Sequence, residues 1–295
     1  MRYFMRKSKE ILRSIWSEFV YGGHLLSFGT VSIVCTVAIL LNIKITWDFL
    51  VIVYLGTISC CLYGRYKNFD KDILTNPERC QYFKKYVKKI PLIIFCFIVI
   101  NIGILLYFNK ISVLLFAISL ILLSFLYDIF LKKITKRIIG FKNFFVSLLF
   151  TLWIIFLIFY YSLPLTLSVI LILIFFYLRF FIGTSFSDIK DIESDKEEGL
   201  LTLASVLGER NLINILSTIN CLVAIPIIIG AYFHLLPLYS LALLLSIPYS
   251  FYYFEKLKDR KISAAYLYNI VVDGELIMWS IFILIGKIVL WLNFF

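Results

Sequence analysis

Nine apolar runs dominate the sequence, each close to the ~20 residues needed to cross the hydrocarbon core of a bilayer. They centre on residues 24–43, 47–64, 90–108, 111–131, 144–162, 164–184, 211–233, 236–254 and 273–293. Near-continuous apolarity, without the alternation of barrel strands, predicts helices, because a lipid-facing backbone must satisfy its own hydrogen bonds. The chain is 62% hydrophobic and 16% charged, far from the roughly one-half and one-quarter of soluble domains. The expected fold class is an all-α membrane protein with nine transmembrane helices.

The charges between the runs predict orientation. Nearly all of the 29 Lys and Arg fall in the first segment and in every second loop, around residues 65–89, 132–142, 179–196 and 256–261. Opposite loops carry only Lys44 and Lys110. By the positive-inside rule the N-terminus is cytoplasmic, in a multi-pass protein of the cell membrane. The net charge of +11 follows from this topology, and no basic stripe on a soluble face argues for nucleic acid. Residues 1–23 read as a cytoplasmic amphipathic segment with no cleavable signal signature, and residues 24–295 as one nine-helix domain. The first membrane helix is expected to act as the insertion signal. Six cysteines without a C-x-x-C pair and two histidines argue against zinc.

The acidic residues cluster in two of the basic loops. "SFSDIKDIESDKEEGLLTL" (185–203) places Asp188, Asp191 and Asp195 three and four residues apart, one face if the segment is helical. Like charges so placed repel. Two readings relieve the repulsion: a solvated turn with Asp191 paired to Lys190 or Lys196, or oxygen ligands for Mg²⁺, which favours carboxylates, water and substrate phosphates. The second loop, "YGRYKNFDKDILTNPERC" (63–80), offers Asn68, Asp70 and Asp72 among Arg65, Lys67, Lys71 and Arg79. A third, "LYDIFLKKITKRIIGFKNFF" (126–145), adds Tyr127, Asp128, Lys132, Lys133 and Lys142. Together they are equipment for a diphosphate at the mouth of an apolar cavity.

"DIKDIESDKEEGLLTLASVLG" (188–208) resembles the second aspartate-rich motif of the UbiA superfamily of intramembrane prenyltransferases. That motif reads D-x-x-D-x-x-x-D, then a basic residue, a Gly and T-L leading to L-G. Asp188, Asp191, Asp195, Lys196, Gly199, Thr202, Leu203, Leu207 and Gly208 stand at its positions. "LYDIFLKKITKR" is similar to the family's segment after its fourth helix, at Tyr127 and Lys133. The first motif departs from N-D-x-x-D-x-x-x-D. Anchored on Pro77-Glu78-Arg79, Asp72 is its third acid and Asn68 replaces the middle one; a second register makes Asn68 the leading Asn, Asp72 the middle acid and Asn76 the last position, and breaks the spacing to Pro77-Glu78-Arg79.

The resemblance implies nine helices around a central, lipid-open cavity and transfer of an isoprenyl group from a prenyl diphosphate to a lipophilic acceptor. It implies Mg²⁺ held by Asp188, Asp191, Asp195, Asp72, Asn68 and Asp70, with Asp188, Asp191, Asp195, Asp72 and Asn68 as the catalytic set. Arg65, Lys67, Tyr127, Lys133 and Lys196 would contact substrate, and Tyr127 or Tyr63 would shield an allylic cation. The runner-up is a non-catalytic lipid-binding or scaffold protein of the same fold; a transporter would carry its ionisable groups nearer the midplane. "YNIVVDGELIMW" (268–279) adds Asn269, Asp273 and Glu275 at the start of the last run, either capping that helix or meeting a polar acceptor. His24 reads as an interfacial residue.

Overall fold

The computed structural model describes residues 2–108, 111–259 and 262–293, and their side chains except at 2–9, 71, 74, 128 and 293. Expectations resting on Lys110 or on the side chains of Lys71 and Asp128 lie outside the described residues. The helices are α1 (Arg2–Tyr21), α2 (His24–Leu40), α3 (Trp47–Lys67), α4 (Phe69–Thr75), α5 (Pro77–Phe83), α6 (Ile90–Phe108), α7 (Ile111–Ile129), α8 (Phe141–Tyr160), α9 (Leu167–Ser187), α10 (Ile192–Glu197), α11 (Leu203–Leu222), α12 (Ala224–Tyr232), α13 (Ser246–Lys256), α14 (Ala264–Tyr266) and α15 (Asp273–Asn293). No strand occurs among the described residues.

The apolar runs set these boundaries, since α2, α3, α6, α8, α9 and α15 overlap expected spans almost end to end. By length and composition, six stretches among the described residues can cross a membrane, and a seventh if α1 and α2, bent by 59°, count as one. The fourth expected span falls on α7, an apolar helix of 19 residues. The eighth is divided: a 3₁₀ run over Leu238–Leu245 precedes α13. Pro237 at the start of that run and Pro248 in the first turn of α13 remove donors from a continuous ladder.

The helices close into a ring. Packing contacts join α2 to α3, α3 to α6 and α7, α7 to α8, α8 to α9, α9 to α11 and α12, α12 to α15 through the 3₁₀ run Leu238–Leu245, and α15 back to α2. The closing contact is tight at Gly29, where a Cβ would come within 2.8 Å of Leu276 Cβ. α1 turns away from α2 at Gly22-Gly23, with Gly23 at φ +95°, and leaves Ile11, Leu12, Ile15 and Trp16 exposed.

Arg179 on α9, counted with the loop cations from sequence, lies inside the bundle at 1% exposure. Its guanidinium donates to Glu275 Oε1 on α15, to Asn220 Oδ1 on α11 at 2.6 Å and to Ser250 Oγ on α13 at 2.6 Å. Glu275, at 2% exposure, also accepts from Trp279 Nε1 at 3.1 Å. One ion pair therefore ties four helices together. Removing one partner strands a buried charge, which costs about 3–5 kcal/mol, whereas apolar replacement of both is far milder. Arg179→Met is expected to lower the Tm in detergent sharply, and Arg179→Met/Glu275→Met to recover most of the loss. Additive losses would show that the two side chains act independently.

Candidate active site

α3 ends where Asn68 folds its amide back onto the Gly64 carbonyl at 2.9 Å. The chain then turns through α4 and α5, with Pro77 opening α5, where its missing N–H costs no hydrogen bond. This turn brings Arg79 over Asp72: Nε and Nη2 donate to the two carboxylate oxygens at 3.1 and 2.6 Å. Asn76, between the short helices, exchanges amide hydrogen bonds with Asn269 at 3.3 and 3.1 Å. Asn269 sits in a π-helical segment, Leu267–Val272, that leads into α15. The first loop is thus fastened to the last helix.

The second loop is not one continuous α-helix. Asp188–Asp191 forms a 3₁₀ turn and α10 follows, so the three aspartates take three different surroundings. Asp188 is buried and accepts from Lys142 Nζ at 2.6 Å and Asn143 Nδ2 at 2.9 Å. Asp195 is fully buried and accepts from Thr202 Oγ1 at 3.1 Å, while Thr202 caps α11 by accepting from the Ser205 N–H at 3.2 Å. Asp191 differs: Lys190 Nζ stands 3.9 Å from one oxygen, and the other, Oδ1, is buried without a partner.

Between the two loops lies a cavity of about 340 Å³. Arg65, Arg79, Lys132, Lys142 and Lys190 line it against Asp72, Asp191 and Asp273, five cations facing three carboxylates. Asn68, Tyr127, Tyr268 and Asn269 complete the polar wall. Such an excess of positive charge in a partly desolvated space suits a polyanion. Two apolar chambers share its lining. One, about 220 Å³, lies among Val146, Phe150, Phe180, Leu276 and Trp279, with Arg179, Asp188 and Glu275 in its walls. The other, about 210 Å³, lies among Thr57, Leu149, Phe150 and Trp153. Leu26 borders all three spaces.

Of the residues singled out from sequence, Arg65, Asn68, Asp72, Arg79, Tyr127, Lys132, Lys142, Asp191, Asn269 and Asp273 line the polar cavity. Asp188 faces the first apolar chamber, and Asp195 holds the loop together. Lys67, Asp70, Lys133 and Lys196 are exposed and border none of these spaces. Tyr63 stacks on Phe125, with ring centroids 4.2 Å apart, and His24 pairs with Tyr54. Sequence reasoning passed over Asn143 and Tyr268. A polar Asn at the very start of an apolar run was the available signal for the first; Tyr268 carried none beyond its place beside Asn269.

Among the described residues no three His, Cys, Asp or Glu side chains converge as a metal cluster. The donors that do share the cavity, Asp191 with its unpartnered oxygen, Asp72 and Asn68, nonetheless fit Mg²⁺. That ion commonly takes one or two carboxylates and completes its shell with water and substrate phosphate.

The sequence matches the UbiA prenyltransferase family over residues 25–281. No curated protein matches it as a close relative. The fold is similar to the apo structure of a UbiA homolog from Aeropyrum pernix K1, at TM-score 0.61 and 13% identity over 92% of this chain and 97% of that one. It is also similar to a digeranylgeranylglyceryl phosphate synthase (TM-score 0.58, 15% identity, 94% and 98% covered). A third similar structure is a UbiA homolog from Archaeoglobus fulgidus bound to GPP and Mg²⁺ (TM-score 0.55, 15% identity, 94% and 96% covered). The chain belongs to the UbiA prenyltransferase family.

Proposed function

We propose that the protein is an integral-membrane prenyltransferase that moves an isoprenyl group from a prenyl diphosphate to a lipophilic acceptor. The observation that carries this reading is the cation-rich cavity that shares its walls with two apolar chambers. A prenyl diphosphate has the same division: a polyanionic head on a hydrocarbon tail. A homolog of the same fold holding GPP and Mg²⁺ supports it.

In the reaction the allylic C–O bond breaks and its electron pair leaves with the diphosphate. Arg65, Arg79, Lys142 and Lys190 stand around the space where that negative charge develops, and fixed cations in a dry site stabilise it most effectively. Asp191, Asp72 and Asn68 would hold Mg²⁺, which supplies Lewis-acid neutralisation of the leaving diphosphate. The rings of Tyr127 and Tyr268, both in the cavity wall, offer π-faces to the allylic cation. The acceptor's nucleophilic atom then bonds to the prenyl carbon and gives up its proton. The complete topology proposed is nine spans in the cell membrane, N-terminus cytoplasmic, with the diphosphate site on the cytoplasmic side.

One observation favours a second reading, a UbiA-fold protein that binds lipid without catalysis. Both oxygens of Asp72 are already held by Arg79, so the first loop offers a metal fewer free carboxylate oxygens.

The deciding assay uses purified protein with radiolabelled farnesyl and geranylgeranyl diphosphates. Diphosphate release that needs Mg²⁺, stops with EDTA and falls about 10²–10³-fold in Asp191→Ala is expected, the scale of losing one preorganised electrostatic group. Binding without release sustains the lipid-binding reading instead. For topology, single cysteines at Lys67 and Lys44 in a cysteine-free background should label from opposite sides of sealed vesicles. Labelling of both from one side would overturn the nine-span orientation.

A further inference from the structure

Outside the ring, α1 presents an exposed apolar face. Ile11, Leu12, Ile15 and Trp16 are between 51% and 65% exposed, and with Phe19 they fall at i, i+1, i+4, i+5 and i+8, one face of the helix. Glu10, Arg13 and Ser14 stand on the opposite face, also exposed. The sequence of this segment sets Arg2, Arg6, Lys7, Lys9 and Arg13 against Glu10 and Glu18, so its charge is positive. The family match begins at residue 25, after this helix. The apolar face does not stop where α1 ends. Trp16 stacks on Phe19 with ring centroids 6.1 Å apart, Phe19 meets Phe28 on α2 at 5.9 Å, and Phe28 meets Tyr54 on α3 at 5.0 Å. Phe28 is itself exposed on the flank of α2. The apolar outside of the bundle therefore runs on into the apolar face of α1, and the 59° bend between α1 and α2 turns α1 toward the membrane plane.

A helix with a Trp, Phe and Leu face and a Lys/Arg-rich polar side lies in the interface of a bilayer, and its cations are drawn to anionic headgroups. We propose that α1 docks on an anionic lipid leaflet at the end of the bundle that holds the cation-rich cavity, and that this docking holds part of the cavity wall in place. A soluble protein fits the surface less well, because covering Trp16 and Phe19 it would also have to cover Phe28 on the flank of α2, where lipid lies. The link to the cavity is the last turn of α1. The Tyr21 carbonyl accepts from Arg65 Nη1, and the Tyr21 hydroxyl donates to Glu78, the neighbour of Arg79. Gly23 passes over the same guanidinium so closely that a Cβ on it would stand 3.1 Å from Arg65 Nη1. Arg65 and Arg79 both line the cavity. A leaflet that fixes α1 thereby fixes the aim of Arg65. This link rests on the prenyltransferase reading above; the docking does not.

The test places spin labels on single cysteines in the otherwise cysteine-free full chain, in nanodiscs that mix phosphatidylcholine with phosphatidylglycerol. A label at Leu12 should favour oxygen over a water-soluble nickel complex about fivefold more than a label at Ser14 on the opposite face. That contrast should fall about twofold or more in discs of phosphatidylcholine alone and in Arg6→Glu/Lys7→Glu/Lys9→Glu. Where the variant lowers the Tm, the wild-type chain at high salt, which screens the headgroup charge, is read instead. Equal accessibility at Leu12 and Ser14, a contrast indifferent to lipid and charge, or shielding of Leu12 only in discs that hold two copies would overturn the docking. Farnesyl diphosphate binding, by calorimetry with Mg²⁺, should weaken about fivefold in the phosphatidylcholine discs, and Arg65→Gln should bind alike in both discs. Equal wild-type affinity in the two discs, or a lipid dependence that survives Arg65→Gln, would overturn the link to Arg65. No binding in either disc would remove the donor reading and the link with it, while the two labels still decide the docking.

Discussion

Everything in this fold answers to one constraint: a charge carried into a greasy interior must find its partner there. Isolated ionised groups are expensive in hydrocarbon, and Arg179 sits far from solvent at 1% exposure. The bundle meets the requirement by converging α9, α11, α13 and α15 on one guanidinium. Such a pair is weak evidence of net stability. It does fix geometry, because the four helices cannot slide past one another without uncovering a charge. The chamber walls they form are correspondingly defined, and α15, tied here and packed on α2, follows a π-helical segment whose Val272 lines the chamber.

The same rule operates at the mouth with a different outcome. Asp72 is forked by Arg79, and Asp188 is held by Lys142 and Asn143. These pairs consume carboxylate charge that would otherwise repel a phosphate, and they keep the cations aimed at the cavity. Asp191 is left with an unpartnered oxygen. In this arrangement Asp188 and Asp195 brace the loop, while Asp191 and Asp72 border the cavity in which the proposed diphosphate and Mg²⁺ would sit. A diphosphate entering here would meet side chains already oriented, which limits the reorganisation needed to bind it.

Much of the fold is legible in the sequence because lipid imposes a simple length rule on apolar runs. α6 and α15 match their runs end to end. The eighth run reads as one helix but folds as two pieces, because periodicity does not distinguish α from 3₁₀ geometry over Leu238–Leu245 and two prolines interrupt it. Arg179 was misplaced for a related reason: hydropathy counts a charge near the end of a run as loop, although its partner Glu275 lies 96 positions away. The site shows the same limit. Spacing displayed three aspartates, but the partners that separate their roles, Lys142, Asn143 and Thr202, are set by tertiary packing. Asp195 and Thr202, seven residues apart, are within reach of a local turn; Asp188 and Lys142, 46 apart, meet only through the tertiary fold.

The first loop's missing carboxylates gain a physical reading from Asn76. A carboxylate at that position would accept a hydrogen bond but donate none, and it would bring an added charge to a site only 2% exposed. An amide both donates and accepts, and so does Asn269, which lets the two form a reciprocal pair in a buried setting. That pair joins the α4–α5 turn to the segment that presents Asp273. On this view the loop has exchanged metal-binding charge for a latch between the two sides of the cavity. In the proposed function the capacity to hold a cation would then rest on Asp191 and Asp72, while the latch holds in place the loop that carries Asp72 and its partner Arg79.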